Sequence, residues 1–309
     1  MHAVRLLLSL LLLVLSPWLC GISSAYPIDG SAGPAAVDRL LTAAPTAWAS
    51  SVATAASPRN RTSAPAGPER ILFILASSQV HGSSTIPASI SFGEVVHAWD
   101  TFHAAGYAVD FVTPDGGDVP ILPPYIDDEV APRLEDARIM AGLRNTATPT
   151  QIDPDRYRAV YYVGGSNAMY GVPEDAALQR IALHVYERNG GVISAVCHGT
   201  AGIVHLRRAN GRYLVSGKRI SGYPEDHEDQ DAAYFREFPF LIRQTVEARG
   251  GDFRMVDSRA PYIEVDGRVV TGQNYASAAP VAEAVVDVLR RLTASPDADA
   301  DADADAAQG

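Results

Sequence analysis

The apolar positions of the central chain follow strand and helix periods in alternation. Ile71 to Ala76 is an unbroken apolar run behind a charged pair, which is typical of a strand buried on both faces of a parallel sheet. Phe92 to Ala105 carries apolar residues at helical spacing and ends at Gly106, a residue that favours helix termination. Tyr107 to Thr113 predicts the next strand, so the region begins as a strand, helix, strand unit.

The same alternation continues through the second half of this region. The pattern predicts strands at Ala159 to Val163 and Val192 to Val196, helices at Glu174 to Arg188 and Ala282 to Leu292, and hairpin turns at Asn210-Gly211 and Asp266-Gly267. Alternating strands and helices imply right-handed crossovers. We therefore predict an α/β fold, a three-layer sandwich with a mostly parallel central sheet and helices on both faces. Reactive groups are expected at the carboxyl ends of its strands.

The segment Met1 to Ala25 has the pattern of an export signal. Arg5 gives it a positive start, Leu6 to Leu15 is apolar apart from Ser9, and Ser23-Ser24-Ala25 places small residues at a cleavage position. The apolar run is shorter than the roughly 20 residues that span a bilayer, so a permanent anchor is the weaker interpretation. We expect an exported protein, periplasmic or secreted, without stable membrane insertion after cleavage; a membrane-anchored form is the alternative.

Composition sets the remaining boundaries. Residues 26–68 are rich in Ala, Ser and Pro, as in a disordered linker, and residues 294–309 form an acidic low-complexity tail, which leaves a single domain at residues 69–293. The net charge of −11 argues against nucleic-acid binding through bulk charge. Two cysteines, Cys20 and Cys197, are too few for a disulfide scaffold or a cysteine-rich zinc module.

Candidate chemistry converges on Cys197. The residue directly follows the predicted strand Val192 to Val196, and the small residues Gly199, Ala201 and Gly202 then begin a helix. This order is typical of a nucleophile elbow, in which a tight turn exposes the sulfur and a helix N-terminus favours its thiolate. An inert buried thiol is the alternative. The adjacent His198 and the glycine-rich turn favour the functional interpretation.

Six stretches of the chain occur in the order found in one superfamily. They are Gly93 to His97, Ala105 to Phe111, Asp155 to Tyr157 leading to Gly164-Gly165, Asn189 to Gly199, Gly217 to Tyr223, and Thr271 to Asn274 with Ala276-Ser277. With these stretches the chain resembles the ThiJ/PfpI superfamily, which has a class I glutamine-amidotransferase-like fold. Within it, the chain resembles the branch of glutathione-independent glyoxalase III and heat-shock chaperone proteins. The most specific stretch is Ala-Val-Cys-His-Gly at the elbow.

The resemblance implies a set of site residues. It places the nucleophile at Cys197, its neighbouring histidine at His198, and a buried glutamate at Glu94. It places an acidic third member at Glu228, with Glu225 and Asp226 as rival positions. Substrate or oxyanion binding falls on Gly164 and Gly165, together with the backbone N–H of His198.

The implied activity is that of a lyase. Cys197 would attack a small reactive carbonyl such as methylglyoxal, form a hemithioacetal, and allow His198 to shuttle protons until lactate forms, as in glutathione-independent glyoxalases of the D-lactate dehydratase type. No cofactor and no metal are expected. The expected partner is the small-molecule carbonyl substrate, with no nucleic acid and with a homodimer left open. The alternatives are a hydrolase or deglycase using the same thiolate, and a non-enzymatic chaperone or redox-sensing protein.

Two departures from the branch and one weaker alternative remain. The chain has Ser166-Asn167 where the branch has a pocket histidine, which leaves substrate choice open, and Thr200 where it has proline. His97, His103 and Asp100 share one predicted helix, so a metal site there is conceivable, although packing or surface roles are commoner for such residues.

Glu94 leads to a further prediction. If this carboxyl group lies beside Cys197 in a desolvated pocket, its pKa rises and it can donate a hydrogen bond to the sulfur as a neutral acid. With the helix N-terminus, that donor would hold Cys197 as a thiolate near neutral pH. A surface glutamate on the first helix is the alternative.

Overall fold

The computed structural model describes residues 67–294. Its strands are β1 (Arg70–Ile74), β2 (Ala108–Val112), β3 (Tyr157–Tyr162), β4 (Val192–Val196), β5 (Arg219–Ile220), β6 (Asp252–Phe253), β7 (Ile263–Asp266) and β8 (Val269–Gly272). Its α-helices are α1 (Phe92–Ala104), α2 (Ala137–Arg144), α3 (Ala176–Glu187), α4 (Ala201–Val204), α5 (Ile242–Ala248) and α6 (Ala278–Ala294). Short 3-10 helices lie between these elements.

Six strands form one sheet in the order β2-β1-β3-β4-β8-β7, in which only β7 runs antiparallel to its neighbour. β7 and β8 are joined by the predicted turn at Asp266-Gly267, where Gly267 has φ +59°. β5 and β6 pair separately in parallel. The predicted fold class, with a mostly parallel central sheet, is confirmed.

Two hydrophobic cores cover the two faces of the sheet, and β1 contributes to both. Ile71 and Phe73 lie in one core, with residues of α1 and α6, whereas Leu72 and Ile74 lie in the other, with residues of α3. All four side chains are buried. Because neighbouring strand residues point to opposite faces, burial on both faces requires the continuous apolar run seen in the sequence.

Several element boundaries differ from those predicted. α6 begins at Ala278, four residues before the predicted start. Pro280 does not prevent this earlier start, because it falls within the first turn, where proline is tolerated. Asn210-Gly211 forms a turn in which Arg207 and Tyr213 make an isolated bridge, and neither side of the turn is a strand. The short helices α2 and α5 were not predicted, since neither offers more than two turns of apolar periodicity.

The predicted signal peptide at residues 1–25, nearly all of the linker at residues 26–68 and nearly all of the acidic tail at residues 294–309 lie outside the described residues. Within residues 67–294, no helix combines the length and the apolar character needed to cross a membrane.

Candidate active site

The turn after β4 holds its cysteine in a strained backbone conformation. Cys197 has φ +56°, the one positive φ at a non-glycine residue between residues 67 and 294. Such a conformation costs on the order of 1–3 kcal/mol and persists only where the surroundings enforce it. A 3-10 turn (Cys197–Thr200) leads directly into α4. Gly199 fits this turn because a Cβ there would lie 2.4 Å from the carbonyl oxygen of Tyr162. The predicted elbow geometry is thus present at Cys197.

His198 links the sulfur to a carboxylate. Its Nδ1 lies 3.5 Å from Cys197 Sγ, and its Nε2 lies 2.5 Å from Glu228 Oε1. The Tyr223 ring stacks on the imidazole, with ring centroids 4.7 Å apart. Because the carboxylate accepts a hydrogen bond from Nε2–H, the other ring nitrogen, Nδ1, is left facing the sulfur. The three residues therefore form a cysteine, histidine, glutamate chain that can transfer a proton from the thiol.

The two rival acidic positions are occupied elsewhere. The backbone N–H of Arg243 donates to Glu225 Oε2 at 3.2 Å, and the Arg243 guanidinium pairs with Asp226 at 2.5 Å. Neither carboxylate is a hydrogen-bond partner of the imidazole, whereas Glu228 is. The geometry therefore selects Glu228 as the partner of His198, and its catalytic role remains a prediction.

Glu94 approaches the sulfur from the first turn of α1. The residue is 1% exposed, its Oε2 accepts a hydrogen bond from the backbone N–H of Gly164 at 2.8 Å, and its carboxyl group lies close enough to the Cys197 thiol to interact with it. Burial raises the pKa of Glu94 to about 8, although the hydrogen bonds from Gly164, Cys197 and Ser91 act against this rise. Glu94 is thus a neutral acid at neutral pH, and the alternative of a surface glutamate does not hold.

Opposing influences act on the Cys197 thiol. Burial raises its pKa, and negative charge on Glu94 raises it further, whereas the backbone N–H of His198 lowers it. Since Glu94 keeps its proton below about pH 8, its repulsion is absent at neutral pH. Burial therefore works against the predicted thiolate, and the hydrogen bond with Glu94 also raises the pKa of the thiol. Donation from the neutral carboxyl group to the sulfur stays a prediction.

The two predicted oxyanion glycines have different surroundings. Gly164 donates its N–H to Glu94, and a Cβ at Gly164 would lie 2.5 Å from the Glu94 carboxylate oxygen. Gly165 has φ +108° and lines the cavity above the sulfur, where a Cβ would meet the backbone of Ser89 and Ser91 at 2.4 Å. Of the two glycines, Gly165 lines the cavity and its oxyanion role stays a prediction, while Gly164 holds the Glu94 carboxyl group.

A cavity of about 870 Å³ opens onto these groups. Its lining includes Glu94, Gly165, Cys197, His198 and Glu228, four tyrosines (Tyr125, Tyr223, Tyr234 and Tyr275), and the charged residues Asp127, Asp257 and Arg259. Sequence reasoning gave the tyrosines no role. Tyr223 lies within one of the stretches that resemble the superfamily. The other three tyrosines lie in irregular segments, where no hydrophobic periodicity shows which side chains point inward.

A second hydrogen-bonded chain, separate from the cysteine, lines the same cavity. The Tyr275 hydroxyl donates to Asp127 and lies 3.1 Å from His97 Nε2. A Cβ on Gly93 would lie 2.1 Å from that hydroxyl, so the residue beside Glu94 must be glycine for Tyr275 to occupy this place. Gly93 and His97, which lie in the first of the stretches that resemble the superfamily, therefore help to position Tyr275.

The metal alternative on α1 has no support in the side-chain geometry. His97 contacts Tyr275, His103 stacks on Trp99 with centroids 4.6 Å apart, and Asp100 pairs with Arg133. The described part of the chain contains no cluster of three or more histidine, cysteine or acidic residues that could hold a metal ion.

The chain is similar in sequence to several glyoxalases. No protein-family model matches the chain. It is 28% identical over 235 residues to the glutathione-independent glyoxalase HSP31 of Saccharomyces cerevisiae, an alignment that covers 72% of this chain and 99% of that protein. It is 29% identical over 206 residues to glyoxalase 3 of Candida albicans, covering 62% and 86% of the two chains.

Solved structures agree with the sequence relatives. The crystal structure of glyoxalase III from Candida albicans matches with a TM-score of 0.64 and 25% identity over 71% of this chain and 96% of that one. The rapid encystment protein of Francisella tularensis matches in fold, with a TM-score of 0.67 at 24% identity over 72% and 99% of the two chains.

The parallel sheet, the strained cysteine elbow and the buried glutamate agree with the predicted resemblance to the ThiJ/PfpI superfamily. More narrowly, the chain is similar to glutathione-independent glyoxalases in sequence and to glyoxalase III of Candida albicans in fold. Both parts of the predicted resemblance are confirmed.

Proposed function

We propose that the protein is a glutathione-independent glyoxalase, a lyase that converts methylglyoxal and water to lactate through a covalent adduct on Cys197. The observation that carries the proposal is the arrangement at the sulfur, where Cys197 contacts the His198–Glu228 pair on one side and the neutral acid Glu94 on the other. The names of the sequence relatives, which are glyoxalases, support the same activity.

The first step is addition of the sulfur to the aldehyde carbon. The thiol proton passes to His198 Nδ1, 3.5 Å away, and the sulfur forms the hemithioacetal carbon–sulfur bond. The carbonyl oxygen becomes an oxyanion, for which the backbone N–H groups of Gly165 and His198 are the proposed donors. Glu228 stabilises the imidazolium that forms.

The next steps move one proton between the two substrate carbons. His198 first gives the thiol proton to the oxyanion, which yields the neutral hemithioacetal and restores the neutral imidazole. The imidazole then removes the proton from the former aldehyde carbon to give an enediolate and returns it to the neighbouring carbon, while the hydroxyl proton moves between the two oxygens, which leaves a thioester. Water then attacks the thioester, which releases lactate and returns Cys197 to the thiol. Since the rearrangement is internal, the balanced reaction consumes only methylglyoxal and water and needs no redox cofactor.

Lactate formation without added thiol tests this function. Purified protein is incubated with methylglyoxal in the absence of glutathione, and both lost substrate and formed lactate are measured. The proposal expects one lactate for each methylglyoxal consumed, with no effect of added glutathione. Loss of methylglyoxal without lactate would mean that the protein only traps the aldehyde, and the proposed function would be wrong.

One observation favours a second candidate, a hydrolase or deglycase that uses the same thiol. The cavity of about 870 Å³ lies near the upper end of the range of about 300–1,000 Å³ that is typical of pockets for drug-sized ligands. A three-carbon aldehyde leaves most of that space unfilled. Comparing kcat/KM for methylglyoxal with kcat/KM for a methylglyoxal-modified N-acetylamino acid decides between them, since a larger value for the adduct favours the deglycase.

We also propose that the protein acts outside the cytoplasm, on the basis of the signal-like pattern of residues 1–25. Cleavage after Ala25 would leave Tyr26 as the first residue. N-terminal sequencing of protein recovered from the periplasm or the medium tests this. Recovery with Met1 intact, or with a lipid on Cys20, would contradict a cleaved, unanchored form.

A further inference from the structure

Glu228, whose carboxylate faces His198, lies in an irregular stretch of the chain. Glu228 lies between the 3-10 turns Glu225–His227 and Ala233–Glu237, where neither a helix nor a strand ladder fixes its backbone. Its side chain is nevertheless only 7% exposed. A carboxylate that faces a histidine through one oxygen can rotate about its last torsion, so it needs a second contact to stay aligned.

Tyr234 supplies that second contact. Its hydroxyl donates to Glu228 Oε2 at 3.1 Å, while Glu228 Oε1 accepts from His198. The two oxygens are thereby used by two different donors. Tyr234 also lines the cavity that opens onto Cys197, so the donor belongs to the wall of the site.

Packing fixes the tyrosine ring in turn. The Tyr234 ring lies 5.3 Å from the buried His81 ring and 5.9 Å from the Phe238 ring, centroid to centroid. Burial, followed by the charge of Glu228, raises the pKa of Tyr234 to about 12. The hydroxyl consequently keeps its proton and remains a donor across the range in which proteins are assayed.

We propose that Tyr234 is a positioning residue of this reaction, which holds the Glu228 carboxylate against His198 through the second carboxylate oxygen. The inference rests on the proposed glyoxalase function. With Oε2 fixed by the hydroxyl, Oε1 stays aligned with Nε2–H of the imidazole, and Nδ1 stays directed at the thiol. Tyr234 therefore acts through two intervening side chains and touches no reacting atom.

Loss of the hydroxyl should loosen the pairing of Glu228 with His198. Without a donor on Oε2 the carboxylate can turn, so Oε1 is held less firmly against Nε2–H and stabilises positive charge on the imidazole less. The titratable groups around Glu228 on the surrounding elements are His81, Tyr170, Cys197, His198, Tyr223 and Tyr234. None of them is a lysine or arginine that could take over the role of the tyrosine.

The test is Tyr234→Phe in the full-length protein, with Tyr170→Phe as the matched control. Tyr170 belongs to the same aromatic group and its hydroxyl lies 3.2 Å from His81, but the residue does not line the cavity. For Tyr234→Phe we expect kcat for methylglyoxal to fall about tenfold, KM to stay within about twofold, and the acid limb of the kcat/KM profile to move to lower pH. Tyr170→Phe should leave all three unchanged.

Two further readouts make the result decisive. In a Glu228→Gln background, Tyr234→Phe should change kcat by less than about twofold, because the two residues act as one unit. Alkylation of Cys197 by iodoacetamide, measured against pH, reads the thiol without requiring turnover. In Tyr234→Phe this profile should move to higher pH, because weaker stabilisation of positive charge on the imidazole disfavours the thiolate beside it.

The outcomes separate the two proposals. A wild-type protein that forms no lactate refutes the glyoxalase function, and the alkylation profile still tests Tyr234. If Tyr234→Phe matches the wild type in kcat and in both pH profiles, Tyr234 has no positioning role. Equal losses in Tyr234→Phe and Tyr170→Phe without movement of either profile would assign the effect to packing of the aromatic group and would likewise overturn the inference.

Discussion

Two glutamates lie on either side of Cys197, one on a regular helix and the other in an irregular segment. Glu94 lies on the first turn of α1, fully buried, and accepts a hydrogen bond from Gly164. Glu228 lies in an irregular segment and faces His198. Burial gives Glu94 a pKa of about 8, so it is neutral at neutral pH, whereas Glu228 is placed to serve as the carboxylate partner of an imidazole.

The difference shows that environment divides the labour between identical side chains. A buried carboxyl group without a cation beside it keeps its proton and can donate a hydrogen bond to the sulfur. A carboxylate beside an imidazole orients that ring and stabilises its charged form. We therefore assign the hydrogen bond to the sulfur to Glu94 on one side of the elbow, and proton transfer to the His198–Glu228 pair on the other.

The largest expected effect comes from removing the Cys197 thiol, which both Glu94 and the His198–Glu228 pair act on. Cys197→Ser is nearly isosteric but replaces the thiol by a far less acidic hydroxyl, so turnover of methylglyoxal should be abolished. Circular dichroism and thermal unfolding should match the wild type. Retention of most lactate formation by this variant would refute covalent catalysis and make the comparison of the two glutamates irrelevant to the chemistry.

Breaking the proton-transfer side alone should cost less. His198→Ala should lower kcat on the order of 100-fold or more, because general acid–base groups contribute about that much. The matched control is His184→Ala, since His184 also pairs with a carboxylate, Asp155, at 2.6 Å but does not line the cavity. Equal activities of the two variants would remove His198 from the mechanism.

A matched pair of variants, Glu228→Gln and Glu225→Gln, tests which carboxylate is the partner of His198. Glu228→Gln keeps the size of the side chain but removes the charge, so kcat should fall about tenfold. Glu225→Gln should leave kcat near the wild-type value and instead lower the free energy of unfolding by on the order of 1 kcal/mol, because the contacts with Arg243 weaken. Steady-state kinetics and urea unfolding of both variants check this, and the reverse pattern would identify Glu225 as the partner.

Much of the scaffold was predictable because its signals are local. The strand β4 was predicted with the observed bounds, and Cys197 follows it directly, so the elbow could be placed from the sequence. The run at β1 likewise showed burial on both faces. These features depend on the periodicity of a few adjacent residues, which the chain displays without any tertiary information.

The walls of the site depended on contacts between distant segments. Tyr234 and Tyr275 lie in or beside irregular segments, where no period marks which side chain points inward. Glu94 was placed near the cysteine only through the family resemblance, because α1 by itself shows no reason for a buried acid on its apolar side. Among three neighbouring acidic residues, only the position of Arg243 showed which one was free to face His198.

The pH dependence of stability sharpens the contrast at Glu94. Its pKa of about 8 in the folded protein lies above the ordinary carboxyl value, so the neutral acid contributes stability that is complete at acid pH and is lost as the pH rises toward and through 8. Glu94→Gln removes that titration. Urea unfolding at several pH values should therefore show a wild-type loss of stability between about pH 5 and 8 that is smaller in the variant. Parallel curves for the two proteins would place the Glu94 titration outside this range.

The most direct test of the central claim, that a neutral Glu94 donates to the sulfur, is the ultraviolet absorbance of the thiolate against pH. Wild type, Glu94→Gln and Glu94→Leu are compared. Because glutamine keeps a donor, Glu94→Gln should retain much of the wild-type thiol pKa, whereas Glu94→Leu, which has none, should raise the thiol pKa and slow turnover. If all three proteins titrate alike, Glu94 does not control the sulfur and the claim is wrong.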